Sequence, residues 1–532
     1  MSLIDIIILI AYMIVILFLG GAVGKKNSTG DDYFTGARSM PWYAIGLSVG
    51  LTMISANSFI GGPGWAYADG IIAAMVNITV PLAIVFVTYT ILPIIYHSKL
   101  TTVYEYTYNR FGTRTRILNV IAWLLQSLMF VGGFVYTPSL VLAAITGISM
   151  NVWVPIIVIL AIIYTVAGGI KAVIWTDMIQ GIILFIGLVI GISVASGKLD
   201  MPMGDALNIA RDAGLMQSFD FGFNLSSLNV WCAFLAGSAM WAGYFGYDQG
   251  QVQRYVTSKD MRTIKKTGIM SSVAMQLIYW LCFFLGVVLF VFYKSNEHTL
   301  DFANANNVMT DFLLNYVPHG VLGVLLAATF AAAMSSIDSV LNSLTTVFVK
   351  DIYEPYISKK GDTPLSKSMG VSVIFGVLII AFVYLYLGDN TASILATMGA
   401  YVSPMGSLLT GIMFCSLFIP SINDKGCFAG SVVAAVLTFM IGKLIPQAHW
   451  LWAYFYGAVL CIICATVASK FFKRSEEEEK HYFKYTLKGA KAELTGKVDS
   501  TGCSIEPLKL DAYGYVILGV FIVHVIVLFM LQ

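Results

Sequence analysis

Charge is scarce in this chain. Asp, Glu, Lys and Arg make up 11% of its 532 residues, where a soluble protein carries about 25%. With 58% hydrophobic residues and a mean hydropathy of +0.80, this excludes a set of water-soluble domains and indicates a polytopic membrane protein in a lipid bilayer. The formal net charge is only +2, so nothing points to nucleic acid as a partner. Histidine is rarer still. The six (His97, His298, His319, His449, His481, His524) are scattered towards loops and segment ends, and no span carries a metal-ligand cluster such as His-Glu-x-x-His. An enzyme is therefore not expected. The seven cysteines (Cys232, Cys282, Cys415, Cys427, Cys461, Cys464, Cys503) lie mostly in apolar segments and form neither a paired framework nor a zinc spacing. Cys461 and Cys464, at i and i+3, read as small packing residues. A membrane sensor would need a large soluble output domain, and the polar stretch 473–507 is too short for one. Residues 4–21 are long enough to span, and no small-residue cleavage pattern follows them, so no cleavable signal is expected.

What the chain does have is apolar segments of spanning length, about 14 of them. They fall near 3–22, 42–66, 71–96, 117–146, 152–169, 173–195, 229–250, 268–293, 319–348, 368–388, 391–419, 426–445, 449–472 and 512–531. Basic residues follow the first span (Lys25, Lys26, Arg38), the third (Lys99, Arg110, Arg114, Arg116), the seventh (Arg254, Lys259, Arg262, Lys265, Lys266) and the ninth (Lys350, Lys359, Lys360, Lys367). Loops such as 147–151 and 388–390 lack this excess. The positive-inside bias then puts both termini outside and makes 473–507, with its acidic run Glu476 to Glu479, a solvated cytoplasmic tether before the last span.

Two spans are interrupted. The second contains Ser55-Ala-Asn-Ser-Phe-Ile-Gly-Gly-Pro-Gly-Trp65, and Gly61, Gly62, Pro63 and Gly64 are expected to break its helix at membrane depth. The seventh contains Gly243-Tyr-Phe-Gly-Tyr-Asp-Gln-Gly250. The two open consecutive blocks of five spans, which is the sequence pointer to an inverted-repeat transporter. Broken helices expose backbone carbonyls and amides that bind ions and substrate.

The ninth span holds Ala331-Ala-Ala-Met-Ser-Ser-Ile-Asp-Ser-Val-Leu-Asn-Ser343. On a helix, Ser335, Asp338, Ser339 and Asn342 share one face. A carboxylate at the bilayer centre costs about 2.5–3.5 kcal/mol or more, and persists where it meets water, a partner or a cation. Hydroxyls and a carboxylate are hard oxygen ligands suited to a small hard cation. Alone, the stripe is read equally well as a serine-rich packing face with Asp338 paired to a neighbouring helix.

Five stretches together resemble the sodium/solute symporter family. They are Asp32-Tyr-Phe-Thr-Gly-Ala-Arg-Ser-Met-Pro41; Tyr104-Glu-Tyr ahead of Arg110-Phe-Gly112; Gly168-Gly-Ile-Lys-Ala-Val-Ile-Trp-Thr-Asp177; Asp248-Gln-Gly-Gln-Val-Gln-Arg254; and the serine stripe ending in Lys350-Asp-Ile-Tyr353. The resemblance covers about residues 2–420 and implies an all-α core of two inverted five-helix repeats with sodium-driven alternating access. It implies one or two sodium ions. The first would sit between the second and ninth spans, on the carbonyls of Leu51, Ile54 and Ala332 and the hydroxyls of Ser335 and Ser336. The second would sit on Asp177, Ser335, Asp338 and Ser339. Asp338 stands where relatives carry Ser or Thr, and a second carboxylate either strengthens a cation site or binds a proton.

The substrate positions depart from the sugar pattern. Where a bacterial sodium/galactose member carries Gln, Glu, Asn, Lys and Gln, this chain has Ser58, Asn77, Trp241, Met275 and Ala396. Phe130 stands where sialic acid symporters place a carboxylate-binding Arg, and Tyr244 matches the aromatic that closes the pocket from inside. Phe59, Trp65, Trp241 and Tyr244 are read either as a stacking surface for a sugar ring or as plain helix packing. The expected arrangement is a peripheral first span and loop (1–41), repeats over 42–228 and 229–420, peripheral spans (421–472), a linker (473–511) and a last span (512–532). The expected function is inner-membrane, sodium-coupled import of a small organic solute. A sugar is the favoured cargo; a monocarboxylate, sialic acid or other organic anion is the alternative. A channel or sensor is the reading from another class.

Overall fold

The structure is a computed structural model. It describes the backbone of all residues except 25–28, 296–306, 359–362, 388–393 and 473–481, and the side chains of these except 24, 385–387 and 394–401. The acidic run Glu476 to Glu479 therefore lies outside the described residues. The rest is helical, with one isolated bridge, Val498 to Ser504. Among the described residues ten helices are long and apolar enough to cross a membrane. Met150–Ser196 holds two of the expected spans, Asn57–His97 holds the third and part of the second, and among the described residues the others fall largely on helix.

Met150–Ser196 contains the fifth and sixth spans, which part at Gly169 (φ 57°, ψ −155°). A Cβ there would lie 2.7 Å from the Tyr33 carbonyl oxygen. Positive φ and close backbone approach both require glycine at this point, which gives the Gly168-Gly169 motif its physical reason.

The second span breaks earlier than the glycines suggested. Trp42–Leu51 ends, residues 52–55 leave the helix, and the chain restarts at Asn57–Gly61 and Gly62–Asp69. The Ser55 hydroxyl accepts from Asn57 N at 3.1 Å and caps the restart. Pro63 sits where the wider turn Asn57–Gly61 passes into Gly62–Asp69. The close approach comes from the other side: on the eighth span, Met261–Ser295, a Cβ at Gly286 would lie 2.2 Å from the Pro63 carbonyl oxygen, whereas one at Gly62 would meet Cys282 Cβ at 3.4 Å.

The seventh span breaks where expected. Asp248 is extended (φ −84°, ψ 124°) between Ser238–Tyr247 and Gln249–Val256. Its carboxylate accepts from Gly250 N and from Trp123 Nε1, each at 2.8 Å.

The ninth span, Val321–Val347, continues into Phe348–Ser358 and is the central helix: 89% of its apolar window is buried, against 22% for the first and last spans. It packs on the helix Met150–Ser196 that holds the fifth and sixth spans. The linker differs from the expected tether. Residues 482–511 fold into a lobe with a helix at Leu487–Leu494, and Leu487, Ala490, Leu494, Cys503 and Ile505 are buried in the main core. Burial of those side chains holds the segment down.

Candidate functional site

The break in the second span and the serine stripe meet. The Ser336 hydroxyl donates to the Thr52 carbonyl at 3.0 Å and to the Ala332 carbonyl at 3.3 Å. The Ser335 hydroxyl reaches the Ala332 carbonyl at 3.1 Å. Leu51, Ile54 and Ala332 are buried in one cluster beside them. Neutral hydroxyls and carbonyls at a helix break, with little water access, suit a monovalent hard cation. Among the described residues no group of three or more His, Cys, Asp or Glu could hold a metal ion.

One turn further along, two carboxylates and a guanidinium share a fully buried volume. Asp177 Oδ2 accepts from the Ser48 hydroxyl at 2.5 Å and from Arg254 Nη2 at 2.9 Å. Both Asp177 and Arg254 have no exposed side-chain surface. Arg254 Nε also donates to the Ser48 hydroxyl at 2.6 Å, and its two terminal nitrogens donate to Ser339 Oγ and to the Gly250 carbonyl. Asp338 Oδ2 accepts from Tyr164 at 2.7 Å and Thr176 at 3.3 Å, and Oδ1 accepts from Ser339 at 3.2 Å. Asp177 Oδ1 is buried with no hydrogen-bond partner, which costs about 1–3 kcal/mol or more unless something else meets it. With both carboxylates ionised the trio carries a formal charge of −1, so a monovalent cation completes it.

Arg254, counted from sequence among the basic residues that follow the seventh span, is fully buried. The Asp248 break turns the short helix Gln249–Val256 back into the bundle and buries its arginine. The available signal was the Asp248-to-Arg254 motif, which places Arg254 just past the break. Ser48, Tyr164 and Thr176 were also missed; single hydroxyls carry no signature.

The substrate positions divide. Trp241 Nε1 donates to the Val76 carbonyl and Gln276 Nε2 to the Asn77 carbonyl, both at 2.8 Å. Asn77, Trp241 and the Met275–Gln276 pair thus adjoin. The Trp241 and Tyr244 rings meet edge-on at 5.6 Å, and the Tyr244 hydroxyl accepts from Gln251 at 2.6 Å. Ser58 lies 3.4 Å from the Tyr279 hydroxyl, one turn along from Met275. Phe130 stacks on Phe134 at 5.9 Å. The aromatic stripe does not stay together: Trp65 meets Phe283 at 6.1 Å, and Phe59 is buried beside Gly187 of the sixth span. Ala396 lies in the helix Ile394–Phe418, and its side chain is outside the described residues. Asn77, named from sequence, is joined by further buried amides that were not. Both side-chain polar atoms of Asn77, and the side-chain oxygens of Asn57, Gln126, Gln251 and Gln276, have no partner.

Hydrogen bonds and an ion pair cross the end that carries the basic loops. Tyr247 meets Thr107 at 2.5 Å and accepts from Asn119 at 3.0 Å. The Gln249 amide clasps Val103 N and the Thr101 carbonyl, at 2.9 and 3.1 Å. Arg116 pairs with Asp351 at 2.7 Å.

Two broken helices around a buried ion-type site, bridged at one end, define a secondary transporter. The chain belongs to the sodium:solute symporter family, whose sequence model matches residues 33–434. It is 30% identical to the sodium/sialic acid symporter SiaT of Proteus mirabilis, over 88% of this chain and 95% of that one. It is 27% identical to the mouse sodium-coupled monocarboxylate transporter 1, over 79% and 69%. Among solved structures, a Na+-coupled sialic acid symporter in a substrate-bound, outward-open state superposes with a TM-score of 0.80 at 26% identity, covering 89% of this chain and 99% of that one. The protein is a multi-pass membrane symporter, and sodium is its coupling ion.

Proposed function

We propose that the cargo is a small organic acid of the sialic acid class. The observation that carries this is the 30% identity to a sodium/sialic acid symporter, sustained over 88% of the chain. The unpartnered side-chain oxygens of Gln251 and Gln276 and both side-chain polar atoms of Asn77 support it, because a polyhydroxylated, acylated acid offers hydroxyl donors to the oxygens and an acceptor to the Asn77 amide. Arg254 does not stand in for the arginine that the family resemblance places at Phe130, since it is committed to Asp177, Ser48 and Ser339. In this reading the carboxylate is held by neutral donors. That same neutrality favours a second reading, an uncharged sugar, which was the expectation from sequence alone.

Sodium is assigned to two places. At the first, the Leu51, Ile54 and Ala332 carbonyls with Ser335 and Ser336 tie the broken second span to the ninth, favouring the outward-open state. A ligand shifts such an equilibrium only by its differential affinity for the two states. At the second, Asp177 Oδ1, Asp338, Ser335 and Ser339 take the ion, and Arg254 keeps Asp177 compensated when the ion leaves.

A thermal-shift screen of the purified protein, with and without sodium, across sialic acids, monocarboxylates and sugars tests the cargo. A sodium-dependent shift with sialic acids supports the first reading. A shift with sugars alone replaces it by the second.

A further inference from the structure

The lobe 482–511 lies beyond the 402-residue stretch matched to the family, residues 33–434, yet it is fastened at both ends. On one side it grips the start of the eighth span. Met261 N donates to Asp499 Oδ2 at 2.8 Å, Arg262 to the Thr501 carbonyl at 2.6 Å, and Lys265 to the Ser504 carbonyl at 2.9 Å. It also grips the third span at its kink. Leu508 N donates to the Tyr89 carbonyl at 2.7 Å, and the Tyr89 hydroxyl donates to Asp511 at 2.5 Å. On the other side the Tyr106 hydroxyl donates to the Tyr485 carbonyl at 2.9 Å.

Tyr106 belongs to the short helix Val103–Arg110, whose N-terminus is closed by a Thr102–Glu105 capping box. The same helix supplies Val103 and Thr107 to the bridged end described above. One element is therefore shared by the lobe and the closure. The joint between them is loosely filled. An open groove of about 250 Å³ runs there between the end of the third span and the lobe, lined by His97, Asn109, Lys484, Tyr485 and Glu493 among others, and His97 Nε2 lies 3.4 Å from Glu493 Oε1 across it.

We infer that the lobe 482–511 is a strap: anchored on the third and eighth spans, it holds the helix Val103–Arg110 in place and keeps the basic-loop end of the transport path shut. The strap yields at the groove-side joint when that end opens. This goes beyond the proposed cargo and does not depend on it. The eighth-span anchor is in force at neutral pH. Burial opposes the charge of Asp499, but the Thr501 hydroxyl and the amides of Cys503, Thr501 and Met261 hold its pKa below the ordinary carboxylate value. A lowered folded-state pKa gives a contribution that is lost only as pH falls through that value.

Hydrogen–deuterium exchange on the full-length purified protein, in sodium-free buffer without cargo, tests the strap by loosening either end. Asp499→Ala releases the eighth-span anchor, and Tyr106→Phe removes one oxygen at the joint. Each is expected to raise exchange across 247–256, on the far side of the closure, by about 2- to 10-fold, the effect of one lost hydrogen bond. If Asp499→Ala does not fold, Tyr106→Phe still decides. Exchange raised only within 482–511 or 103–110, with 247–256 unchanged, overturns the inference.

Discussion

Replacing Asp338 by asparagine keeps the shape of the side chain and removes its charge. The structure indicates that the fold tolerates this. Asp338 Oδ2 takes the Tyr164 and Thr176 hydroxyls, while Oδ1 takes only Ser339. An asparagine can turn its oxygen to Tyr164 and its amide to the Ser339 oxygen, so the hydrogen-bond count is kept and stability is expected to change by less than about 1 kcal/mol. The electrostatic effect is larger. With Asp177 and Arg254 compensating one another, Asp338 supplies the net negative charge that draws a cation. Opposite unit charges 4 Å apart attract by about 4 kcal/mol at the effective dielectric of protein sites. Ion desolvation offsets part of this and leaves about 1–3 kcal/mol, or about 5- to 150-fold in affinity. Uptake measured against sodium concentration reads this directly. The wild-type Hill coefficient should exceed 1 and fall towards 1 in Asp338→Asn. A carboxylate holding a proton would instead make wild-type uptake vary with external pH and abolish that variation in the variant. If Asp338→Asn changes neither sodium cooperativity nor pH dependence, Asp338 is a packing residue and the second cation site is refuted.

Breaking the buried pair with Arg254→Met should destabilise the protein by about 3–5 kcal/mol, read by thermal unfolding, and Asp177→Leu in the same chain should restore part of it. Ser336→Ala removes the hydroxyl that bridges Thr52 and Ala332, and should raise the half-saturating sodium concentration at least about 5-fold, with expression near normal. Tyr244→Phe loses the Gln251 hydrogen bond and should weaken cargo retention by about 2- to 10-fold, while sodium-induced thermal stabilisation persists.

The sequence carried the scaffold and the ion stripe because both are periodic. Apolar runs of spanning length fix the spans, and the i, i+3, i+4, i+7 spacing puts Ser335, Asp338, Ser339 and Asn342 on one face whatever surrounds them. The position of the break in the second span was not legible. Gly61, Gly62 and Gly64 lie on helix after the restart, and glycine composition alone does not say where a helix breaks. Arg254 was illegible for a related reason: six residues beyond a break, chain direction no longer tells depth. The lobe was mistaken for a tether because charge was weighed above pattern. Leu487, Ala490 and Leu494 at i, i+3 and i+7 already describe an apolar helix face. The cargo is hardest to read, since Asn57, Asn77, Gln126 and Gln276 come from different helices and share no spacing.

The central claim, sodium-coupled transport of a sialic-acid-class cargo, is tested most directly by uptake of radiolabelled N-acetylneuraminic acid into proteoliposomes holding the purified protein. An inward sodium gradient should drive accumulation above the external concentration, and dissipating that gradient with a sodium ionophore should abolish it. Accumulation that persists without sodium would contradict the coupling, and no uptake of sialic acid alongside sodium-driven uptake of a neutral sugar would contradict the cargo.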